Sequence, residues 1–166
     1  SAGTTCPESA ESLRQALFGE ELEYHLPNHP FNRNGKAEGE LVGGNLSVLF
    51  SLMGSKSEIN YKGKILFIED IDEYLYHIDR MMMNLKRNGY FEGLKGLIIG
   101  GMTSMNDNEI PWGKDAMQII QDVTKDYPFP VFYDFPAGHL KDNRALILGK
   151  IVILDVNEKE TVLKFK

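Results

Sequence analysis

An acidic run that follows an apolar segment is the first feature of this sequence that could do chemistry. Residues 69–73 read Glu-Asp-Ile-Asp-Glu and come directly after the apolar residues 65–68. A carboxylate at the end of a buried strand can be partly desolvated and oriented, so Glu69 and Asp70 are candidates for acid–base work. The run also fits a solvated turn in which Asp72 caps the next helix, and spacing alone leaves both interpretations open.

His139 has the most suggestive setting of the four histidines. It comes directly after Gly138 and precedes a polar loop that carries Asn143 and Arg144. Histidine titrates near neutral pH, so a loop position close to a carboxylate suits a general base. A loop histidine that hydrogen-bonds only to backbone is the alternative. No Gly-x-Ser-x-Gly elbow occurs, so the residues alone predict an acid and a base without a nucleophile.

Metal chemistry is a further hypothesis for the acidic run. Its carboxylates are Glu69, Asp70, Asp72 and Glu73, and only His77 lies nearby among the histidines. Side chains along one segment diverge, which argues against a shared metal. Elsewhere His25 and His29 are four residues apart, but the proline between them argues against a zinc site on one helical face.

The elements that must position these residues alternate between strand and helix. Apolar runs and periodicity predict strands at 40–42, 65–68, 97–99 and 131–133, and helices at 9–18, 45–52, 74–87 and 114–127. Leu13 and Leu17 would form the apolar face of the first helix, and residues 20–39 would form a loop or weak hairpin. Gly43-Gly44 is predicted to be a sharp turn. Strands at 145–148, 151–156 and 161–165 would form an antiparallel meander.

Length and composition are those of one globular domain. The chain has 166 residues, a net charge of −6 and no Lys/Arg-rich run, which disfavours nucleic acid as a partner. No apolar stretch reaches the roughly 20 residues needed to span a bilayer, so no membrane partner is expected. The single Cys6 excludes an intramolecular disulfide and fits a reducing compartment. The start at Ser1 looks like a fragment boundary.

Several motifs together resemble the C-terminal half of the serine LD-carboxypeptidases. This family comprises the muramoyl-tetrapeptide carboxypeptidases, whose relatives include the microcin C immunity proteins. The similar segments occur in the family's order and spacing over nearly the whole chain; they are residues 43–46, 63–70, 76–81, 138–139 and 146–149.

The resemblance implies an α/β fold: a swivelling β/β/α-type domain with a mixed sheet, flanking helices and a C-terminal antiparallel β meander. Residues 1–38 would be a leader helix and loop that link from an N-terminal domain, and residues 39–166 would be the core of a single domain. In the family a flavodoxin-like N-terminal domain carries the nucleophilic serine. That domain is missing from this sequence, so the chain alone is expected to be inactive.

The resemblance also assigns roles to individual residues. Glu69 matches the triad glutamate, which orients the imidazole, and His139 matches the triad histidine, which takes the serine proton. Glu73 is the second choice for the carboxylate. Gly43, Gly44 and Asn45 match a glycine turn that is expected to shape the wall of the substrate cleft. No metal and no cofactor are implied, and Asp79 and Arg80 are expected to form an internal ion pair.

The implied activity is hydrolysis of the bond to the terminal D-amino acid of a murein tetrapeptide, in cytoplasmic cell-wall recycling. The partners would be a peptidoglycan-derived peptide, the N-terminal nucleophile domain and, as in many relatives, a second copy in a homodimer. Two alternatives stay open. One is a non-catalytic module that binds a peptidoglycan fragment, and the other is an immunity-type peptidase that cleaves a microcin-like peptidyl nucleotide.

Overall fold

Seven strands form one mixed sheet that is flanked by helices, as a computed structural model describing residues 6–166 shows. The helices are α1 (Pro7–Phe18), α2 (Leu46–Leu52), α3 (Leu75–Arg87) and α4 (Ala116–Thr124). The strands are β1 (Glu23–Leu26), β2 (Gly35–Asn45), β3 (Ile65–Ile71), β4 (Gly96–Thr103), β5 (Val131–Phe132), β6 (Ile151–Val156) and β7 (Thr161–Phe165).

The strand order β1-β7-β6-β2-β3-β4-β5 joins an antiparallel half to a parallel half. β2 belongs to both, because residues 35–40 pair antiparallel with β6 and residues 41–45 pair parallel with β3. β3, β4 and β5 continue in parallel, so their carboxyl ends lie at one edge. The mixed sheet with flanking helices confirms the predicted fold class.

Each face of the sheet has its own hydrophobic core, as the alternation of side chains along a strand requires. On one face Leu66 and Ile68 of β3 pack in a cluster with residues of α2, α3 and α4. On the other face Ile65 and Phe67 pack in a cluster with residues of β1, β6 and β7. Consecutive residues of β3 therefore serve different cores, and all four of these side chains are buried.

The segment before residue 39, predicted to be a leader helix followed by a loop or weak hairpin, contributes two strands to the main sheet, and these strands do not pair with each other. Residues 23–26 form β1, and β2 already begins at Gly35. Leu22, Tyr24 and Leu26 are buried while the residues between them face outward. This is the period of two expected of a half-buried strand, and the surrounding polar and proline residues obscured it in the sequence.

The strand predicted at 145–148 does not form, because its backbone bonds to other groups. The Ala145 N–H donates to Ser12 Oγ at 3.0 Å, and the Ala145 carbonyl accepts from the Tyr24 hydroxyl at 2.6 Å. Leu146 and Ile147 still pack against the core that contains β6 and β7. The apolar residues mark burial correctly, and the prediction was wrong about the backbone.

Helix α1 forms as predicted and ends at Gly19, which adopts a left-handed conformation. Its orientation is the reverse of the prediction. Leu13 and Leu17 are exposed, and the buried residues of α1 are Ser9 and Ser12. The helix packs through hydroxyl groups that hydrogen-bond to the 142–145 segment, which a pattern of apolar residues cannot reveal.

Candidate active site

Glu69 lies near the carboxyl end of β3, beside Asn45 of β2 in the parallel register. Its side chain shares a face with Phe67, opposite the face that the helices cover. The register between β3 and β4 shifts at this point, because Ile68 pairs with Ile99 but Asp70 pairs with Met102. The irregularity occurs at Glu69, and irregular pairing of this kind is common beside functional sites.

A hydrogen bond joins Glu69 to His139 across 70 positions of sequence. His139 Nδ1 lies 2.8 Å from Glu69 Oε2. The Glu69 side chain is 8% exposed, whereas that of His139 is 51% exposed. A carboxylate that accepts from Nδ1–H fixes the imidazole tautomer, so the lone pair of Nε2 points away from the pair. Within the described residues Nε2 has no hydrogen-bond partner, and the nitrogen is available to an incoming proton donor.

Gly138 allows the Glu69 carboxylate to approach the backbone before His139. Gly138 has φ +107°, and a Cβ there would lie 2.6 Å from Glu69 Oε2. Two further contacts hold this stretch. The Gly138 N–H donates to Asn143 Oδ1 at 3.0 Å, and the Thr103 hydroxyl donates to the His139 carbonyl at 3.1 Å. The histidine therefore sits on a loop whose backbone is fixed from both sides.

Asp70 is buried on the other face, where it anchors α2. Its carboxylate accepts from Asn45 Nδ2 at 2.8 Å and from the Ser47 N–H at 2.9 Å, and its own Oδ1 also accepts from the Ile71 N–H. A carboxylate at a helix N-terminus bonds N–H groups that otherwise have no partner. The sequence placed Asp70 among the candidate acids, but it did not reveal this anchoring contact.

Gly43 and Gly44 belong to β2, so the predicted sharp turn is wrong. They pair in parallel with Phe67 and Ile68 of β3. A Cβ on Gly43 would lie 1.9 Å from the Phe67 carbonyl oxygen, so only glycine permits this close strand contact. The glycines extend the strand and bring Asn45 beside Glu69.

Asn45 begins α2 as predicted, and its side chain is fully engaged. Its Oδ1 accepts from the Val48 N–H at 3.1 Å and from the Ser47 hydroxyl at 2.7 Å, while Nδ2 donates to Asp70. These contacts make Asn45 an N-cap whose amide links α2 to β3. A role of Gly43, Gly44 and Asn45 in substrate binding stays a prediction.

The remaining carboxylates of the acidic run diverge. Asp72 has φ +59° and accepts from Asn106 Nδ2 at 2.8 Å, so the prediction that it caps α3 is wrong. The N-cap of α3 is Tyr74, with no side-chain cap, and the Asn106 carbonyl accepts from the Leu75 N–H at the helix start. No sequence pattern indicates this use of Asn106, because the two segments meet only in the folded chain.

Glu73 pairs with His77 one helical turn along the chain, at 2.6 Å between Oε2 and Nδ1. The carboxylates of the acidic run thus contact separate partners instead of converging as metal ligands would. Within residues 6–166 no three His, Cys, Asp or Glu side chains are grouped in such a way.

The expected ion pair between Asp79 and Arg80 is not found in the described chain. The Arg80 guanidinium instead lies over the Tyr76 ring, 5.3 Å from its centroid. Neighbouring positions on a helix point in different directions, whereas positions four apart lie on the same face.

Comparison with known proteins decides the family. Residues 38–154 match the family described as the LD-carboxypeptidase C-terminal domain. The chain belongs to this family. It is 38% identical over 164 residues to a probable murein peptide carboxypeptidase of Bacillus subtilis, covering 95% of this chain and 50% of that protein. It is also 30% identical over 137 residues to the microcin C7 self-immunity protein MccF of Escherichia coli, covering 80% of this chain and 38% of MccF.

Solved structures of the family share the fold. A muramoyltetrapeptide carboxypeptidase from Oxalobacter formigenes superposes with a TM-score of 0.87 at 25% identity, over 96% of this chain and 55% of that chain. The chain therefore spans about half the length of the relatives it matches. Within the described residues, no helix combines the length and apolarity needed to cross a membrane.

Proposed function

We propose that this chain supplies the glutamate and histidine of a Ser-Glu-His triad in a serine-type LD-carboxypeptidase. The observation that carries the proposal is the 2.8 Å contact between Glu69 Oε2 and His139 Nδ1. It joins a buried carboxylate to a half-exposed imidazole at the carboxyl edge of the parallel half of the sheet, and ligands commonly bind at such edges in α/β folds. The match to the LD-carboxypeptidase C-terminal domain supplies the reaction class.

In the proposed reaction His139 first accepts a proton and then donates it. Its Nε2 takes the proton of a serine hydroxyl as the serine oxygen attacks the peptide carbonyl, and it gives this proton to the amine of the departing D-amino acid. Water then hydrolyses the acyl-enzyme by the same proton path. Glu69 keeps the proton on Nδ1 and stabilises the imidazolium, which a largely buried carboxylate does more strongly than one in water.

The serine and the oxyanion donors are proposed to lie on an N-terminal domain of the parent protein. Two observations support this arrangement: the chain spans about half the length of its relatives, and the matching family is a C-terminal domain. The exposed side chains Leu13, Leu17 and Phe18 of α1 give an apolar surface on which that domain would pack. Without it, the 166-residue chain is expected to be inactive.

The proposed substrate is a murein tetrapeptide, which is cut before its terminal D-amino acid, with cytoplasmic cell-wall recycling as the setting. The names of the Bacillus subtilis and Oxalobacter formigenes relatives, a murein peptide and a muramoyltetrapeptide carboxypeptidase, support this choice. A second candidate is an immunity-type peptidase that cleaves a peptidyl nucleotide, because MccF is 30% identical and has been solved with aspartyl sulfamoyl adenosine. The third candidate is a module that binds a peptidoglycan fragment without cleaving it.

One assay separates these functions. The full-length parent is incubated with a murein tetrapeptide or with a peptidyl adenylate analogue, and mass spectrometry identifies the products. We expect release of the terminal D-amino acid by the wild type and loss of this release in His139→Ala, with circular dichroism showing that the variant is folded. Cleavage of the nucleotide substrate alone would favour the immunity function. Binding of the tetrapeptide with no product would favour the non-catalytic module.

A further inference from the structure

Helix α1 buries hydroxyl groups where an amphipathic helix normally buries hydrocarbon. Ser12 is 3% exposed and Ser9 is 6% exposed, whereas Leu17 on the same helix is 75% exposed. Burying a hydroxyl costs free energy unless it is hydrogen-bonded. The burial of two serines therefore indicates that their hydrogen bonds fix a neighbouring segment of the chain.

Both serines bind the loop that follows His139. The Asn143 N–H donates to Ser9 Oγ at 2.8 Å, and Ser9 Oγ donates to Asp142 Oδ1 at 3.0 Å. Ser12 Oγ accepts from the Ala145 N–H at 3.0 Å and donates to the Ser9 carbonyl at 2.9 Å. The two hydroxyls thus act as both donor and acceptor, and α1 is fixed to residues 142–145.

The same loop segment reaches back to the residue before the histidine. Asn143 accepts from the Gly138 N–H through Oδ1 at 3.0 Å, while its own N–H is held by Ser9. Within this segment, Arg144 Nη2 also forms an ion pair with Asp142 Oδ2 at 2.9 Å. A continuous path of hydrogen bonds therefore runs from α1 through Asn143 to Gly138, whose successor is His139.

We propose that Ser9 and Asn143 are positioning residues that hold His139 against Glu69. The inference rests on the proposed function for its meaning, since positioning matters only if the pair is catalytic. Its physical basis is geometric. His139 is half exposed and the polypeptide turns through a positive φ at Gly138, so the side-chain contact needs a loop that is fixed elsewhere. The path from Ser9 supplies one such fixed point, and the Thr103 hydroxyl that donates to the His139 carbonyl supplies another.

The test uses the 166-residue chain, so it does not require activity. In ¹⁵N-labelled protein, NMR follows the Nδ1 proton of His139 and hydrogen exchange at the Gly138 amide. We expect Ser9→Ala and Asn143→Ala to speed exchange at Gly138 about tenfold or more and to broaden or remove the Nδ1 proton signal. Ser9→Thr and Asn143→Asp keep the acceptor oxygen, so both variants should retain slow exchange at Gly138 and the Nδ1 proton signal of His139.

Two controls separate positioning from general destabilisation. Ser51→Ala removes an exposed hydroxyl that bonds the Val48 carbonyl of its own helix, away from the loop. Arg33→Met weakens the contact to α4 described below without touching residues 138–145. Neither should change the His139 signal. If Ser9→Ala fails to fold, Asn143→Ala against Asn143→Asp carries the comparison alone.

Unchanged exchange at Gly138 and an unchanged Nδ1 signal in Ser9→Ala and Asn143→Ala would overturn the inference, whatever the parent catalyses. In an active parent, Ser9→Ala should lower kcat and leave KM unchanged. A parent that releases no amino acid would refute the proposed function, while the NMR result would still decide whether Ser9 and Asn143 position the histidine.

Discussion

At the scale of single residues, four glutamate–histidine contacts occur among residues 6–166. Two involve the exposed His25, and the other two pairs, Glu73–His77 and Glu69–His139, differ in how they form. Glu73 and His77 are one helical turn apart, so α3 alone brings them together. Glu69 and His139 come from β3 and a distant loop, and only the tertiary fold makes them neighbours. The Glu69 side chain is also the most buried member of the two pairs. Burial and an exposed partner imidazole are the features expected of an orienting carboxylate.

Gly138→Ala tests how tightly this pair is packed. The new Cβ would lie 2.6 Å from Glu69 Oε2 at a residue with φ +107°. We expect the variant to displace the carboxylate, lose the His139 Nδ1 proton signal and lose about 1–3 kcal/mol of unfolding free energy in urea titrations. Gly149→Ala is the matched control, since Gly149 has φ +86° but open space around it. An intact His139 signal in Gly138→Ala would contradict the packing described.

Asp142 makes the stability of the histidine loop depend on pH. The Arg144 guanidinium holds the pKa of Asp142 below its usual value, and the Ser9 hydroxyl acts in the same direction. A carboxyl whose pKa is lowered by folding stabilises the protein above its unfolded pKa of about 3.9, and this stabilisation is lost as pH falls through the folded pKa.

Thermal unfolding of Asp142→Asn checks this linkage. The variant should melt below the wild type at about pH 7, and the difference should shrink at acidic pH as the pH falls through the lowered folded pKa of Asp142. Asp126→Asn, at an exposed residue, is the control. An equal difference at neutral and acidic pH would show that the charge of Asp142 contributes nothing.

At the scale of elements, hydrophobic periodicity predicted the parts of the fold that are buried on a regular pattern. The strand at Ile65–Ile71 and the helix at Leu75–Arg87 formed close to their predicted bounds, because a continuous apolar run and a three-to-four spacing each fit one geometry. Helix α1 shows the limit of this method. The leucines predicted which face of the helix is buried, but the structure buries the face that carries the serines. The reason is that the hydrogen-bond partners that orient the helix lie more than 130 residues away in sequence.

The sequence alone predicted only part of the candidate site. Strand-end position nominated Glu69 and loop context nominated His139, but only the family resemblance joined them. The glycine pair predicted a sharp turn, but Gly43-Gly44 allows close strand pairing and forms no turn. The contacts of Asp70 and Asn106 depend on which segments meet after folding, and no local pattern encodes that.

Arg33 tests how one side chain outside the site supports the parallel half. Its guanidinium donates to the Phe129 carbonyl at 2.8 Å and to the Thr124 carbonyl at the end of α4 at 3.0 Å. Burial lowers the pKa of this arginine. Arg33→Met leaves these carbonyls without their donor, and we expect a loss of about 1–3 kcal/mol in urea unfolding.

Arg80→Met is the comparison for Arg33→Met, because Arg80 is exposed and lies over the Tyr76 ring. It should cost about 0.5 kcal/mol or less. Equal losses in the two variants would show that the carbonyl contacts of Arg33 are not important for stability.

At the scale of the whole molecule, the domain is half of a proposed two-domain catalyst. The carboxylates of the acidic run bind His139, α2, Asn106 and His77 separately, so the proposed chemistry runs through a proton relay. Treating the full-length parent with a chelator should therefore leave tetrapeptide hydrolysis unchanged. Inhibition that added metal reverses would favour the metal-dependent hydrolase hypothesis.

In the proposed triad, Glu69, and not Glu73, is the carboxylate that orients His139. The most direct test is kcat for release of the terminal D-amino acid from a murein tetrapeptide by the full-length parent, compared between Glu69→Gln and Glu73→Gln. We expect kcat to fall about 10⁴-fold in Glu69→Gln, because the amide no longer fixes the imidazole tautomer, and to change much less in Glu73→Gln. Near wild-type kcat in Glu69→Gln, or the larger loss in Glu73→Gln, would contradict this assignment.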